Sequence, residues 1–229
     1  IAAVCKGAAM IAPNMATMLC AILTDAEIEA PRIDQALAGA VADSFNCISV
    51  DGHESTSDSV FLLANGAAGV GPYEGDEWVE FQAALDEVAQ DLAMAIIRDA
   101  EGAHHFVQID VTGCRDRTEA FRIASAVANS PLVKTAICGA DPNWGRIVSA
   151  AGYSGVDLEE TDVSLSMNGF PLYAKGAPLP FDAAKVSESL RDNRDVAIEL
   201  SLSLGEGSVR FWTSDLTKEY VELNADYTT

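Results

Sequence analysis

Between Asp76 and Ile96 the apolar residues Trp78, Phe81, Leu85, Val88, Leu92 and Ile96 recur three or four positions apart. At 3.6 residues per turn this spacing stacks them along one side of a helix of roughly six turns. A single helix cannot shield so long a stripe from water, so the chain has to build at least one further layer against it. The mix of aromatic and aliphatic residues along the stripe reads as core packing, not as a cofactor cradle.

The other layers are legible by the same periods. Pro31 suits the first turn of a helix, and Ile33, Leu37 and Val41 continue it at helical spacing up to Phe45. Val107, Ile109 and Val111 alternate with Phe106, Gln108 and Asp110 as a strand does, and Thr118 to Asn129 returns to helical character. Pro131 to Cys138 is expected to form another strand. Val163, Leu165 and Met167 alternate ahead of Asn168-Gly169, a pair suited to a tight hairpin turn, and Phe170 to Tyr173 form the returning strand. Asp182 to Leu190 reads as a helix. Val196, Ile198, Leu200 and Leu202 alternate again, Gly205-Glu206-Gly207 turns the chain, and Val209, Phe211 and Thr213 follow. Met18 to Leu23 is a short continuous apolar run, the pattern of a strand buried on both faces. Long helices among alternating strands indicate a layered α/β or α+β body, and periodicity leaves its topology open. No internal repeat, low-complexity tract or interdomain linker interrupts it.

Composition narrows the function classes. With 49% hydrophobic and 21% charged residues the chain has an ordinary globular balance. Fourteen basic against thirty-five acidic residues give a formal charge of −21, which would repel polyanions, so nucleic acid and anionic membrane surfaces are not expected partners. The sequence has no apolar run of about eighteen residues and no visible secretory pattern, which makes a cytoplasmic home the expectation. Cys5, Cys20, Cys47, Cys114 and Cys138 are odd in number, widely spaced and without a CxxC pair, so neither a disulfide framework nor a zinc site is expected. Adjacent His104 and His105 would point to opposite faces of a strand, and His53 has no evident partner, so metal chemistry is not expected either.

Thr17 opens the apolar run at Met18. In an anonymous sequence such a threonine is simply a β-branched residue starting a strand. Cleavage of the peptide bond before it would make it a nucleophile carrying its own base, because a free α-amine has an ordinary pKa of about 7.7–8.0. The hydroxyl could first attack the Ala16 carbonyl, shifting the peptide to an ester that water then cleaves.

The segment running from Lys6-Gly7 through Met10-Ile11 to Pro13-Asn14-Met15-Ala16-Thr17-Met18-Leu19 resembles the processing site of the bifunctional ornithine acetyltransferase/glutamate N-acetyltransferase family of arginine biosynthesis. Three further blocks agree in order: Ser49-Val50-Asp51-Gly52 with Ser55-Thr56-Ser57-Asp58 and Leu62-Leu63-Ala64-Asn65-Gly66, then Gly139-Ala140-Asp141-Pro142-Asn143-Trp144-Gly145-Arg146-Ile147, then Asp215-Leu216-Thr217 with Tyr220-Val221 and Asn224 to Thr229. The resemblance implies a sandwich of helices around stacked sheets, similar in layout to N-terminal-nucleophile hydrolases but different in connectivity. It implies Thr17 as the nucleophile, Ala16-Thr17 as the self-cleavage junction, and Lys6, Thr17, Glu101, Asn224 and Thr229 as substrate-binding positions. The residue types suit an amino-acid ligand, since a carboxylate pairs with an ammonium and amide or hydroxyl groups serve either end. His104-His105 depart from the family pattern, which has a threonine and a basic residue there. Arg146 could hold a substrate carboxylate or an internal acid, and a structural role shaping the cleft is favoured.

The implied reaction is ping-pong acetyl transfer from N-acetylornithine to glutamate through an acetyl ester on Thr17. No permanently bound cofactor is implied, and acetyl-CoA is a co-substrate in the bifunctional members. Residues 1–16 would be the remnant of an upstream α chain and residues 17–229 the whole β chain, one compact body, with that α chain as partner in an α/β heterotetramer. The family's oxyanion threonine-glycine pair lies in the upstream segment, so the sequence by itself is expected to be deficient in catalysis. Two alternatives stay open: an amidase or aminopeptidase using the same nucleophile with water as acceptor, and a non-catalytic binding protein. The matching substrate positions weigh against the first and the intact threonine motif against the second.

Overall fold

A computed structural model describes residues 1–7, 18–53, 57–71 and 74–226. Contacts gather into two compact units, Ile1–Asp99 and Ala100–Thr229, a finer division than the single body expected after residue 17. The layered α/β expectation holds in both.

The first unit contains β1 (Ala2–Lys6), β2 (Leu19–Thr24), α1 (Ala30–Ala42), the short β3 (Ile48–Ser49), β4 (Ser59–Ala64) and α2 (Asp76–Arg98). Helix α2 is the long helix expected from the stripe, and it buries Leu85, Ala89, Ala93, Ile96 and Ile97. Asp76 and Glu77 in its first turn and Arg98 in its last complement the helix dipole. Trp78 and Phe81 stack at its start with ring centroids 5.6 Å apart, and Arg32 of α1 lies 4.0 Å over the Trp78 ring. Pro31 stands in the first turn of α1 as expected. The helix stops at Ala42, short of Phe45, because the chain tightens into a 3₁₀ turn over Phe45–Cys47 that buries both end residues.

Strand β2 pairs antiparallel with β1 and parallel with β4. The expectation that Met18 to Leu23 is buried on both faces is corrected here. Cys20 and Ile22 of β2 and Leu62 of β4 are buried, whereas Leu19, Leu23, Phe61 and Leu63 on the other face are exposed. Cys5, paired with Cys20, directs its thiol to the Leu92 carbonyl of α2, so the helix lies against one face only.

The second unit contains β5 (Phe106–Cys114), α3 (Arg117–Ala128), α4 (Pro131–Cys138), α5 (Trp144–Gly152), β6 (Ser164–Met167), β7 (Phe170–Ala174), β8 (Ala177–Pro178), α6 (Ala183–Asp192), β9 (Asp195–Ser201), β10 (Gly207–Ser214) and α7 (Lys218–Asp226). Its strands run in the order β10-β5-β9-β6-β7-β8, with β5 antiparallel to β10 and parallel to β9. The Gly205-Glu206-Gly207 turn therefore joins strands that flank β5, not each other. A Cβ on Gly207 would fall 2.3 Å from the Asp116 carbonyl carbon, so only glycine lets this connection pass the end of β5. Asn168 and Gly169 take φ of 49° and 78°, the left-handed pair of the expected hairpin turn between β6 and β7.

One register row, Met167, Ile198, Ile109 and Phe211, crosses four strands at 1% exposure or less. Phe211 meets Phe121 of α3 with ring centroids 5.9 Å apart, which places α3 over this core face. The segment Pro131–Cys138 is a helix, not the expected strand. An eight-residue apolar run fits either period, and its start decides: the Ser130 hydroxyl accepts from the Val133 amide, Pro131 fits the first turn, and Val133, Lys134, Ala136 and Ile137 are the buried positions. Among the described residues no helix is long and apolar enough to cross a membrane.

Candidate functional site

Lys6 closes β1, exposed, and the strand register sets it opposite Leu19, two positions after Thr17. Ala16 and Thr17 lie outside the described residues. The seat directly after Thr17 is well defined. The Met18 amide, which is the nitrogen of the Thr17–Met18 peptide, donates to Asp58 Oδ1 at 2.6 Å, and the Met18 carbonyl accepts from the Ser59 amide at 3.0 Å. Burial pushes the Asp58 carboxyl up, and the bond from Met18 pulls against it. The sheet face that carries Lys6 also carries Val4, Leu19, Leu23, Phe61 and Leu63, each at least 45% exposed. For five large apolar side chains on one sheet face this is an unusual exposure.

Glu101 is exposed on the turn that precedes β5. The next residue fixes that turn: Gly102 has φ +67°, and a Cβ there would lie 2.5 Å from the Tyr220 nitrogen. Thr217 joins the two segments, its hydroxyl donating to the Gly102 carbonyl at 2.6 Å and accepting from the Tyr220 amide at 3.0 Å. Asn224 stands one helical turn beyond Tyr220 on α7, exposed, with Nδ2 donating to the Tyr220 carbonyl at 2.9 Å. Glu101 and Asn224 are thus carried by two segments in direct contact. Lys6 belongs to the first unit, and Thr229 lies outside the described residues. Thr217→Val keeps the shape but removes the donor and the acceptor. It is expected to cost about 1–3 kcal/mol, seen as a lower urea midpoint at unchanged slope.

Asp215 is the most densely bonded carboxylate near this turn. Its Oδ1 accepts the backbone amides of His104 at 2.9 Å and His105 at 3.1 Å, and its Oδ2 lies 2.7 Å from His105 Nδ1. The other ring nitrogen, His105 Nε2, lies 3.1 Å from the Leu190 carbonyl of α6. His104 turns outward to Glu219 of α7 at 3.2 Å. The hydrogen bond to Asp215 raises His105 above the usual imidazole value, burial works against the rise, and the Asp215 charge and the Leu190 carbonyl add to it. For Asp215, burial alone would push the carboxyl up. The bonds from the His105 ring and from the two amides outweigh burial and hold it below the usual value. The stability His105 contributes is complete below its unfolded pKa of about 6.5 and is lost as pH rises through its raised folded value. That of Asp215 is present above its unfolded value of about 3.9 and is lost as pH falls through its depressed folded value.

Among the described residues no three His, Cys, Asp or Glu side chains gather as a ligand set. The Asp141–Arg146 block makes a structural joint. Asn143 Oδ1 caps α5 by accepting the Arg146 amide, Trp144 stacks on Tyr173 of β7 at 5.2 Å, and Arg146 Nη1 donates to the Leu132 carbonyl of α4 at 2.9 Å. Asp58, Asp215 and Thr217 sit inside recognised motif blocks but have no role assignable from the sequence. The readable signal for the last two was an Asp-x-Thr pair, capping residue types, between an alternating strand and a helix.

The model of the ArgJ family matches residues 1–229 of this chain. The arginine biosynthesis bifunctional protein ArgJ of Rhodopirellula baltica is 48% identical over 232 residues, which cover 100% of this chain and 57% of that protein. The chloroplastic ArgJ of Oryza sativa subsp. indica is 43% identical, covering 100% of this chain and 51% of that protein. The chain thus spans a little over half the length of these relatives. A crystal structure of arginine biosynthesis bifunctional protein argJ from Bacillus halodurans superimposes with a TM-score of 0.87 at 36% identity, covering 90% of this chain and 98% of that one.

Proposed function

This chain belongs to the ArgJ family, and from that premise we propose that it is the nucleophile-bearing part of an enzyme that moves an acetyl group from N-acetylornithine to glutamate in arginine biosynthesis. Self-cleavage at Ala16-Thr17 would free the Thr17 amine. That amine takes the hydroxyl proton as Thr17 attacks the acetyl carbonyl and passes it to the departing ornithine; glutamate's amine then attacks the ester, and the proton it loses returns through the Thr17 amine to the departing Thr17 oxygen. Lys6, Glu101, Asn224 and Thr229 would bind the amino-acid portions. Acetyl-CoA would enter as a second acetyl donor, not as a resident cofactor.

The observation that carries this reading is the fixed seat beside Thr17. Both polar backbone atoms of Met18 are tied to Asp58 and Ser59, and the register brings Lys6 across from Leu19. A nucleophile needs that kind of rigid support, because small displacements of reacting groups are costly. The exposed apolar sheet face supports an upstream chain of the same precursor as partner, since covering it would remove Val4, Leu19, Phe61 and Leu63 from water. A heterotetramer of two such pairs is part of the same proposal. So is a cytoplasmic setting, in line with five free cysteines.

The test is a single-turnover experiment on the complete precursor. With labelled N-acetylornithine alone, an acetyl group should appear on the Thr17 peptide by mass, and glutamate should discharge it as N-acetylglutamate. Free acetate formed at the same rate with or without glutamate would instead make the enzyme an amidase.

A further inference from the structure

We infer that His105 works as an imidazolium latch, holding the Glu101–Ala103 turn in its substrate-binding position through Asp215, so that affinity for the amino-acid substrate falls when His105 loses a proton. The inference rests on the proposed role of Glu101 as a substrate contact.

The geometry around the ring demands two donors. Nδ1 faces the Asp215 carboxylate at 2.7 Å and Nε2 faces the Leu190 carbonyl at 3.1 Å. A carboxylate and a peptide carbonyl only accept, and a neutral imidazole has one N–H. Loss of a proton would therefore set a ring lone pair against an oxygen lone pair at one of the two contacts. Asp215 is fully buried at its side chain and already receives two backbone amides, which keeps it ionised and opposite the ring. Leu190 lies in the last turn of α6, where a cation is favoured by the helix dipole.

The latch closes a strand end. Phe106 of β5 and Ser214 of β10 are paired in register, so His105 and Asp215 are the residues directly outside that pair. Three residues separate Glu101 from His105, and the intervening Gly102 carbonyl is held by Thr217, two positions beyond Asp215. Release of His105 would leave the turn held by Thr217, the two Asp215 amide bonds and its own bond from the Ala103 amide to the Ala100 carbonyl.

Glu219 of α7 faces His104, and the Cys138 thiol of α4 is pushed up by burial and by the Asp215 charge while Lys218 of α7 pulls it down. Lys134 of α4 donates to the Thr213 hydroxyl and the Ser214 carbonyl just before Asp215. Arg191, Asp192 and Arg194, next to Leu190 in sequence, are exposed. Asp215 thus faces a cation whose charge depends on pH. A lysine at that position would keep its charge through neutral pH.

The experiment compares the complete processed enzyme with its His105→Lys and Asp215→Asn variants, measuring KM and kcat for N-acetylornithine from roughly pH 6 to 9. Selective ¹⁵N-histidine spectra follow the His105 ring over the same range. Wild type should show both ring nitrogens protonated at neutral pH and a KM that climbs in a one-proton step as they lose that state. His105→Lys should keep the low KM and flatten the step. Asp215→Asn should raise KM about tenfold while changing kcat by no more than about twofold, the pattern of lost ground-state binding. A single N–H on His105 at neutral pH overturns the latch, as does the same KM profile in wild type and His105→Lys. If Asp215→Asn does not fold, His105→Lys decides. If wild type makes no N-acetylglutamate, the acetyl-transfer reading fails, and the ring spectra still decide the latch.

Discussion

Thr17→Ala in the complete precursor is expected to give one uncut polypeptide and to lower acetyl transfer by at least ~10³-fold, in line with nucleophile removal elsewhere. Both effects have one cause. In the proposed mechanism the hydroxyl oxygen attacks the Ala16 carbonyl during processing, and the same atom later carries the acetyl group. Alanine leaves the backbone free to keep the β-strand that follows, so Met18 should retain its bonds to Asp58 and Ser59 and the fold should persist. Thr17→Ser, which restores a hydroxyl, should recover cleavage and part of the activity. Intact mass separates one chain from two, and N-acetylglutamate formation reads the chemistry. An alanine variant that is still cut, or that still turns over at the wild-type rate, would remove Thr17 from the mechanism.

The features legible in the sequence were those set by local periodicity. The stripe from Trp78 to Ile96 specified α2 because six turns leave little room for another period, and Asn168-Gly169 specified a hairpin because both residues accept positive φ. The helix Pro131–Cys138 was misread because an apolar run of eight residues carries too few periods to choose. Strand order was out of reach: β5 lies between β9 and β10, and that pairing joins segments far apart in sequence. The exposed face of β2 was hidden for a related reason, since an apolar run does not say how many of its sides find a partner. Lys6, Glu101 and Asn224 are proposed as site residues through motif resemblance. Asp215 was not assigned, because a buried acid becomes meaningful only through its partner, here His105 at a separation of 110 residues.

Phe211→Ala is expected to destabilise the fold by about 3–5 kcal/mol, the range for emptying a buried aromatic site. Phe211 has no exposed surface, sits in the register row with Ile109, Ile198 and Met167, and packs on Phe121 of α3. The row is held by strands on one side and a helix on the other, so the cavity cannot collapse without moving a whole element. At about 2–4 °C per kcal/mol for a chain of this size, the melting temperature should fall by roughly 6–20 °C. Phe211→Leu, which keeps most of the volume, should cost less than about half as much, and Val79→Ala on the exposed side of α2 should stay within about 0.5 kcal/mol. The consequence reaches the site, because β5 and β10 meet at this row and end beside His105 and Asp215. Loosening the row should therefore raise KM for N-acetylornithine well below the melting temperature, ahead of any loss of helix signal by circular dichroism. A variant that melts early yet holds its KM until it unfolds would show that the latch is set by its own hydrogen bonds, independently of the core beneath it.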